Sequence, residues 1–235
     1  MSREATEKIY RHFLAGFDDA TRGATERRVG AELKFPFVDA SGQAVAHETV
    51  DALWAHLVDR GWTPDIDSAS GRTVGARKPG ARNDTVASCE TGYCKTEFSL
   101  AHAADLHELD RTRQAVESDL RPFLDAHDVH LLCYGTQPVT PPSAALLMKK
   151  MRASFWDKAL PSNNIIAPAD GDDVHLFTCN ACSHVHVSVA PDEAVRAVNV
   201  LNGLAGAQLA LTANSNVTTG WDAPDYKCIN EKLWD

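Results

Sequence analysis

Three short segments of the 235-residue chain carry charged or imidazole side chains at alternating positions: Glu32 and Lys34, Lys95 and Glu97, His184 and His186. A spacing of two puts such residues on one face of an extended strand. Carboxylates and imidazoles that converge on one sheet face can hold Mg²⁺ or Mn²⁺, because hard cations take oxygen ligands and keep positions for phosphate and water. The wet side of any half-exposed sheet also carries charges. Spacing alone therefore leaves two readings, a metal-binding floor and a solvated polar face.

Cys179, Cys182, His184 and His186 have the residue types of a zinc site, yet all four lie within eight residues of what should be an extended strand. Structural zinc sites join two separated ligand pairs. On a strand Cys179 and Cys182 point to opposite faces, which favours ordinary thiols. Cys89, Cys94, Cys133 and Cys228, with ten histidines as bases, admit a cysteine nucleophile, but no local signature selects one. Neither GxGxxG nor GxxxxGK[ST] occurs, although metal-bridged phosphates on a sheet need no such loop. Trp54, Trp62, Trp156, Trp221 and Trp234 read as packing residues, and Asn214-Ser215-Asn216 as a helix end and turn.

The elements that must position these residues follow from periodicity. Ile9, Phe13, Leu14 and Phe17 form a helical stripe within Arg3 to Phe17, and Val50, Leu53, Trp54, Leu57 and Val58 form another within His47 to Arg60. Both predict helices packed on a core. Val29, Ala31, Leu33, Phe35 and Phe37 alternate with Gly30, Glu32, Lys34 and Pro36, so Glu32 and Lys34 share the face turned from that core. After a Gly-, Arg- and Asp-rich stretch from Ser68 to Asp84, a hairpin is predicted from Thr85 to Cys89, a turn Glu90-Thr91-Gly92-Tyr93 and Cys94 to Leu100. Lys95, Glu97 and Ser99 fall on one side of it.

Further helices are predicted over Leu106 to Ala126, Ser143 to Lys158 and Asp192 to Thr212, and further strands over Val129 to Tyr134 and at the end of Val174 to Val189. Pro138, Pro141 and Pro142 mark a loop; Ser162 to Asp173 and Ala213 to Asp235 are unpatterned. Hairpins without strict strand–helix alternation predict an α+β fold with a mainly antiparallel sheet and helices on one face.

A formal charge of −9, with 44% hydrophobic and 23% charged residues, is that of a globular chain and argues against nucleic acid or an anionic membrane surface as partner. The only basic features are pairs such as Arg27-Arg28 and Lys149-Lys150. No apolar run reaches the roughly 18 residues of a membrane span, and Met1 to Tyr10 lacks a secretory pattern. A cytoplasmic protein with six reduced thiols is expected.

Four blocks, in order, resemble the glutamate-cysteine ligase family, in particular its carboxylate-amine ligase branch. Val29-Gly30-Ala31-Glu32-Leu33-Lys34-Phe35 looks like its first strand, usually Gly-x-Glu-x-Glu; Glu90 to Ser99 is similar to its acidic hairpin. Cys182 to Val187 resembles the strand presenting Gln or His and then Asn, and Ala207 to Ser215 the helix closing on Ala-Asn-Ser. The resemblance covers about Val29 to Gly220.

It implies a cupped antiparallel sheet like that of glutamine synthetase, binding ATP and divalent ions. The implied reaction joins the γ-carboxylate of glutamate, or a similar amino acid, to an amine such as cysteine through an acyl phosphate. Glu32, Glu90, Glu97 and His184 match positions that bind Mg²⁺ or Mn²⁺; Lys34, Lys95, His186 and Asn214 are candidates for nucleotide or substrate contact. Which residue is catalytic is left open. Lys34 stands where the family commonly has a second carboxylate, so one fewer ion is expected. Members are usually longer, so residues 1–235 are expected to form a single ligase-like domain without the usual C-terminal portion, completed by a second copy or a partner chain, or else a non-catalytic relative that binds amino acid or nucleotide or supports a partner enzyme.

Overall fold

A computed structural model of the chain describes residues 2–21, 26–150, 177–215 and 228. Its hub is β1 (Val29–Asp39), whose alternation divides the molecule. Ala31, Leu33, Phe35 and Phe37 turn into the main core, whereas Glu32 and Lys34 lie on the opposite face. The strands β2 (Thr63–Ile66), β3 (Thr73–Lys78), β4 (Thr85–Cys89) and β5 (Lys95–Ser99) lead up to one edge of β1 in the order β2-β3-β4-β5-β1. At its other edge β1 is long enough for two partners: β7 (Ser183–Val187) takes Val29 to Leu33, and β6 (Val129–Leu131) takes Phe37 to Asp39. Every pairing of this seven-stranded open sheet is antiparallel, so the α+β class with an antiparallel sheet holds.

Two helices cover the apolar face. From α2 (His47–Asp59), Val50, Leu53, Trp54 and Leu57 are fully buried; from α3 (Leu106–His127), Val116, Leu120 and Phe123 join them against Val74, Ala76, Ala87 and Phe98 of the sheet. Each large side chain buried this way contributes about 1.5–3 kcal/mol. The α3 start is fixed by Asp105, whose Oδ1 accepts from the Glu108 N–H at 2.8 Å, and its end by Asp128 in the left-handed conformation.

Several expectations are corrected. Among the described residues, α1 (Arg3–Thr21), expected on the core, does not pack there, since Ile9, Phe13 and Leu14 are exposed; α4 (Ala194–Thr212) forms as the predicted helix with Val195, Val198, Leu201 and Leu204 exposed. Their apolar stripes meet no facing sheet or helix among the described residues. Val185 and Val187 of β7 are exposed likewise. The helix predicted from Ser143 is one 3₁₀ turn, Ala144–Leu146, because the chain there lies across the β4–β5 turn: Leu146 O accepts from Tyr93 N–H and Thr91 O from Met148 N–H. Its later part, with Met151 and Phe155, is outside the described residues, as are Trp156, Trp221, Trp234, Asn216, Ser162 to Asp173 and most of Ala213 to Asp235. β6 stops at Leu131, short of Tyr134. The hairpin β2–β3, on the other hand, forms in a stretch read as connection.

Candidate functional site

Register brings the charged residues together. Lys34 pairs with Glu97 across β1–β5, and Glu32 pairs with His184 across β1–β7, so all four project from the face opposite the core. Glu90 enters from the β4–β5 turn. That turn is held tightly: Glu90 N–H donates to Lys95 O, and Gly92 lies so near Thr178 that an added Cβ would stand 2.1 Å from the Thr178 carbonyl oxygen. Only glycine fits there.

Lys34 is the centre of the group. Its Nζ is 3.3 Å from Glu32 Oε2, 3.4 Å from Glu90 Oε1 and 3.4 Å from Glu97 Oε2, and its side chain is only 9% exposed. Burial would lower its pKa, but Glu90 and Glu97 outweigh burial and raise it, so the ammonium is firmly charged. Burial and the hydrogen bond with Glu90 push Glu97 up to about 7, while Ser99 Oγ donates to Glu97 Oε1 at 2.6 Å. Burial acts upward on Glu90 too, yet the bond with Glu97 and the charges of Lys95 and Lys34 hold it below the ordinary carboxylate range. Glu32 is also lowered: the hydrogen bond with His184 and the charge of Lys34 overcome burial.

The imidazoles stand on the rim. His184 Nδ1 is 2.8 Å from Glu32 Oε2, His186 Nε2 is 3.3 Å from Glu32 Oε1, and Cys182 Sγ is 3.1 Å from His184 Nε2. Donation from Nδ1 to Glu32 leaves Nε2 to accept from the thiol. Lys95 shares the face but is buried, its Nζ donating to Phe177 O at 3.0 Å and Asn180 Oδ1 at 2.9 Å. It fastens the segment before β7 to the sheet. Asn214 belongs to a neighbouring joint, where its Nδ2 donates to Cys133 O at 2.8 Å and its carbonyl accepts from Gly135 N–H. Gly135 O in turn accepts from Ala181 N–H, next to Cys182.

Thus Glu32, Lys34, Glu90, Glu97, His184 and His186 form one continuous cluster, while Lys95 and Asn214 brace its margin. Ser99 and Asn180 went unrecognised as site residues; only the position of Ser99, two beyond Glu97 on the same strand side, signalled its part. The zinc quartet separates: Cys179 is buried beside Cys94 and Leu146, its thiol pushed up to about 12 by burial, while Cys182 faces His184. Cys89 and Cys94 are likewise buried, with pKa values raised first by burial, which makes them poor nucleophiles.

The expected divalent ion meets an obstacle. The donors are of the right kind, but the position among Glu32, Glu90 and Glu97 already holds the Lys34 ammonium. Among the described residues no group of three or more His, Cys, Asp or Glu side chains is arranged to hold a metal. A metal ion does not fit at that point while Lys34 lies there.

Comparison with known proteins places this face within one family match. Residues 28–223 match the model of glutamate-cysteine ligase family 2 (GCS2), a span that includes β1, the acidic hairpin, β7 and the Asn214 joint. No curated protein matches the chain.

Proposed function

Because the chain belongs to glutamate-cysteine ligase family 2, and so is a ligase-like protein of the carboxylate-amine kind, we propose that it makes an amide bond between an amino-acid carboxylate and an amine at the expense of ATP. Glutamate, through its γ-carboxylate, and an amine such as cysteine are the default pair. The observation that carries this reading is the cluster of Glu32, Lys34, Glu90, Glu97 and His184 on one sheet face, built from the blocks that resemble the family.

In the proposed sequence a carboxylate oxygen of the acid attacks the γ-phosphorus of ATP, giving an acyl phosphate and ADP. The amine nitrogen then attacks the acyl carbon, phosphate leaves with the C–O bond electrons, and the nitrogen gives up a proton. Both steps gather anions, so the enzyme must orient them and supply positive charge. Lys34 provides a fixed cation in a partly desolvated setting; Glu90 and Glu97 fix its direction. His184 and His186, partly exposed at the rim, hold Glu32 in place beside the ammonium and border the path of an entering anion. Mg²⁺ or Mn²⁺, if it accompanies the nucleotide, would screen phosphate charge. A second copy or another chain that completes the face belongs to the same reading.

ADP release should require acid and amine together, and glutamate labelled with ¹⁸O in its γ-carboxylate should pass one label to phosphate. Glu97→Gln should lower turnover by about a hundredfold or more, since it removes the carboxyl group that, bonded to Glu90 and Ser99, aligns Lys34. Release of unlabelled phosphate alongside amide would exclude the acyl phosphate, and a fully active Glu97→Gln would exclude this cluster.

A non-catalytic binding relative is the second reading, favoured by Lys34 at a position where a carboxylate is usual. It predicts that ATP or amino acid binds the folded chain and is recovered unchanged.

A further inference from the structure

We propose that Lys34 is a resident counter-cation: its ammonium fills the position among Glu32, Glu90 and Glu97 that a divalent ion would otherwise take, so the free protein does not hold an ion there. The proposal takes the cluster as the site of the reading above, but it concerns the resting protein and stands or falls without turnover.

Three geometric facts support it. The Nζ distances to the three carboxylates, 3.3, 3.4 and 3.4 Å, differ by no more than 0.1 Å, so the ammonium is shared among them rather than paired with one. The side chain is 9% exposed and issues from the middle of β1, where pairing with β5 fixes the Lys34–Glu97 register; swinging away would take its charge from beside all three carboxyl groups at once. Finally, Lys34 Nζ is 3.4 Å from His184 Nδ1, so the imidazole that might complete a metal cage is already turned to Glu32 beside a cation. An incoming divalent ion would face like charge at contact range in a poorly screened setting.

A built-in ammonium differs from a metal in what it can do. It is a point charge with three donors and no open coordination positions, so it orients carboxylates and can meet a phosphate oxygen, but it cannot bridge several ligands. Lys34 is accordingly a positioning residue for the three carboxylates, and the site is organised before any ion or nucleotide arrives.

Mn²⁺ titration of the full chain without nucleotide, followed by electron paramagnetic resonance, tests this. Lys34→Met keeps most of the side chain's shape and removes its charge; it should bind Mn²⁺ at least tenfold more tightly than the parent, and millimolar Mn²⁺ should raise its Tm while leaving that of the parent unmoved. Adding Glu97→Gln to Lys34→Met should abolish the gain, and Lys34→Arg should retain the parent's weak binding. Equal affinity in parent and Lys34→Met would overturn the proposal. Should Lys34→Met fail to fold, the parent decides the matter: Glu97→Gln alone should leave its Mn²⁺ uptake unchanged, and a tenfold loss would mean that an ion does sit among these carboxylates. Amide formation is measured separately, so the ligase reading can fail while this one survives, and the reverse.

Discussion

Asp119 is a buried carboxylate outside the site that ties three parts of the fold together. It accepts from Trp62 Nε1 at 2.9 Å, Lys78 Nζ at 2.6 Å and Arg60 Nε at 3.3 Å, joining α3 to β3 and to the end of α2. Burial would raise its pKa, but the hydrogen bonds from Lys78 and Trp62 prevail and lower it. A carboxylate lowered in the folded state contributes stability in full above its unfolded pKa, and that contribution is lost as pH falls through the folded pKa. Asp119→Asn should therefore cost about 2–4 kcal/mol in urea unfolding at neutral pH. It should also flatten the fall in Tm as pH drops through the ordinary aspartate value of 3.8 and below it, towards the lowered folded value; an unchanged slope would assign the acid sensitivity elsewhere. Alternation in the sequence placed Glu32, Lys34 and Glu97 on one face. It could not show Lys34 at their centre, since that depends on the Lys34–Glu97 register and on a turn that delivers Glu90.

Helical stripes in the sequence look alike in α1 and α2, yet their environments differ. Trp54 of α2 is fully buried, while Phe13 of α1 is 64% exposed. Trp54→Ala should cost about 3–5 kcal/mol and Phe13→Ser within about 0.5 kcal/mol, as read from urea midpoints. Comparable losses would mean that α1 is packed in solution. Periodicity reports that a face is apolar and leaves open what covers it, which is why the α1 surface was misread as core. The β2–β3 hairpin was missed for the opposite reason. Thr63 to Ile66 is short, and Gly75 breaks the apolar alternation of β3 because a Cβ there would lie 2.3 Å from Ala87 O. Gly92→Ala tests the corresponding constraint at the site. It should force the β4–β5 turn from Thr178, lowering Tm and turnover together, whereas loss of neither would show that the contact yields freely.

At the scale of the molecule, β1 gathers side chains from residue 32 to residue 184 by pairing with β5 on one edge and β7 on the other. An antiparallel α+β architecture was legible in the hairpin and the missing strand–helix alternation, and the family in four short blocks that all fall inside residues 28–223. Strand order and the shared edge of β6 and β7 were not, because they are set by pairings between distant segments. On this arrangement rests the proposal that the face opposite the core is a ligase site organised around Lys34. Incubation of the purified chain with ATP, Mg²⁺, glutamate and a panel of amines, read by mass spectrometry, tests that claim most directly. A γ-glutamyl amide formed together with ADP is the predicted result. Absence of any amide from a folded protein that binds ATP or glutamate and returns it unchanged would contradict the ligase reading and leave a binding protein in its place.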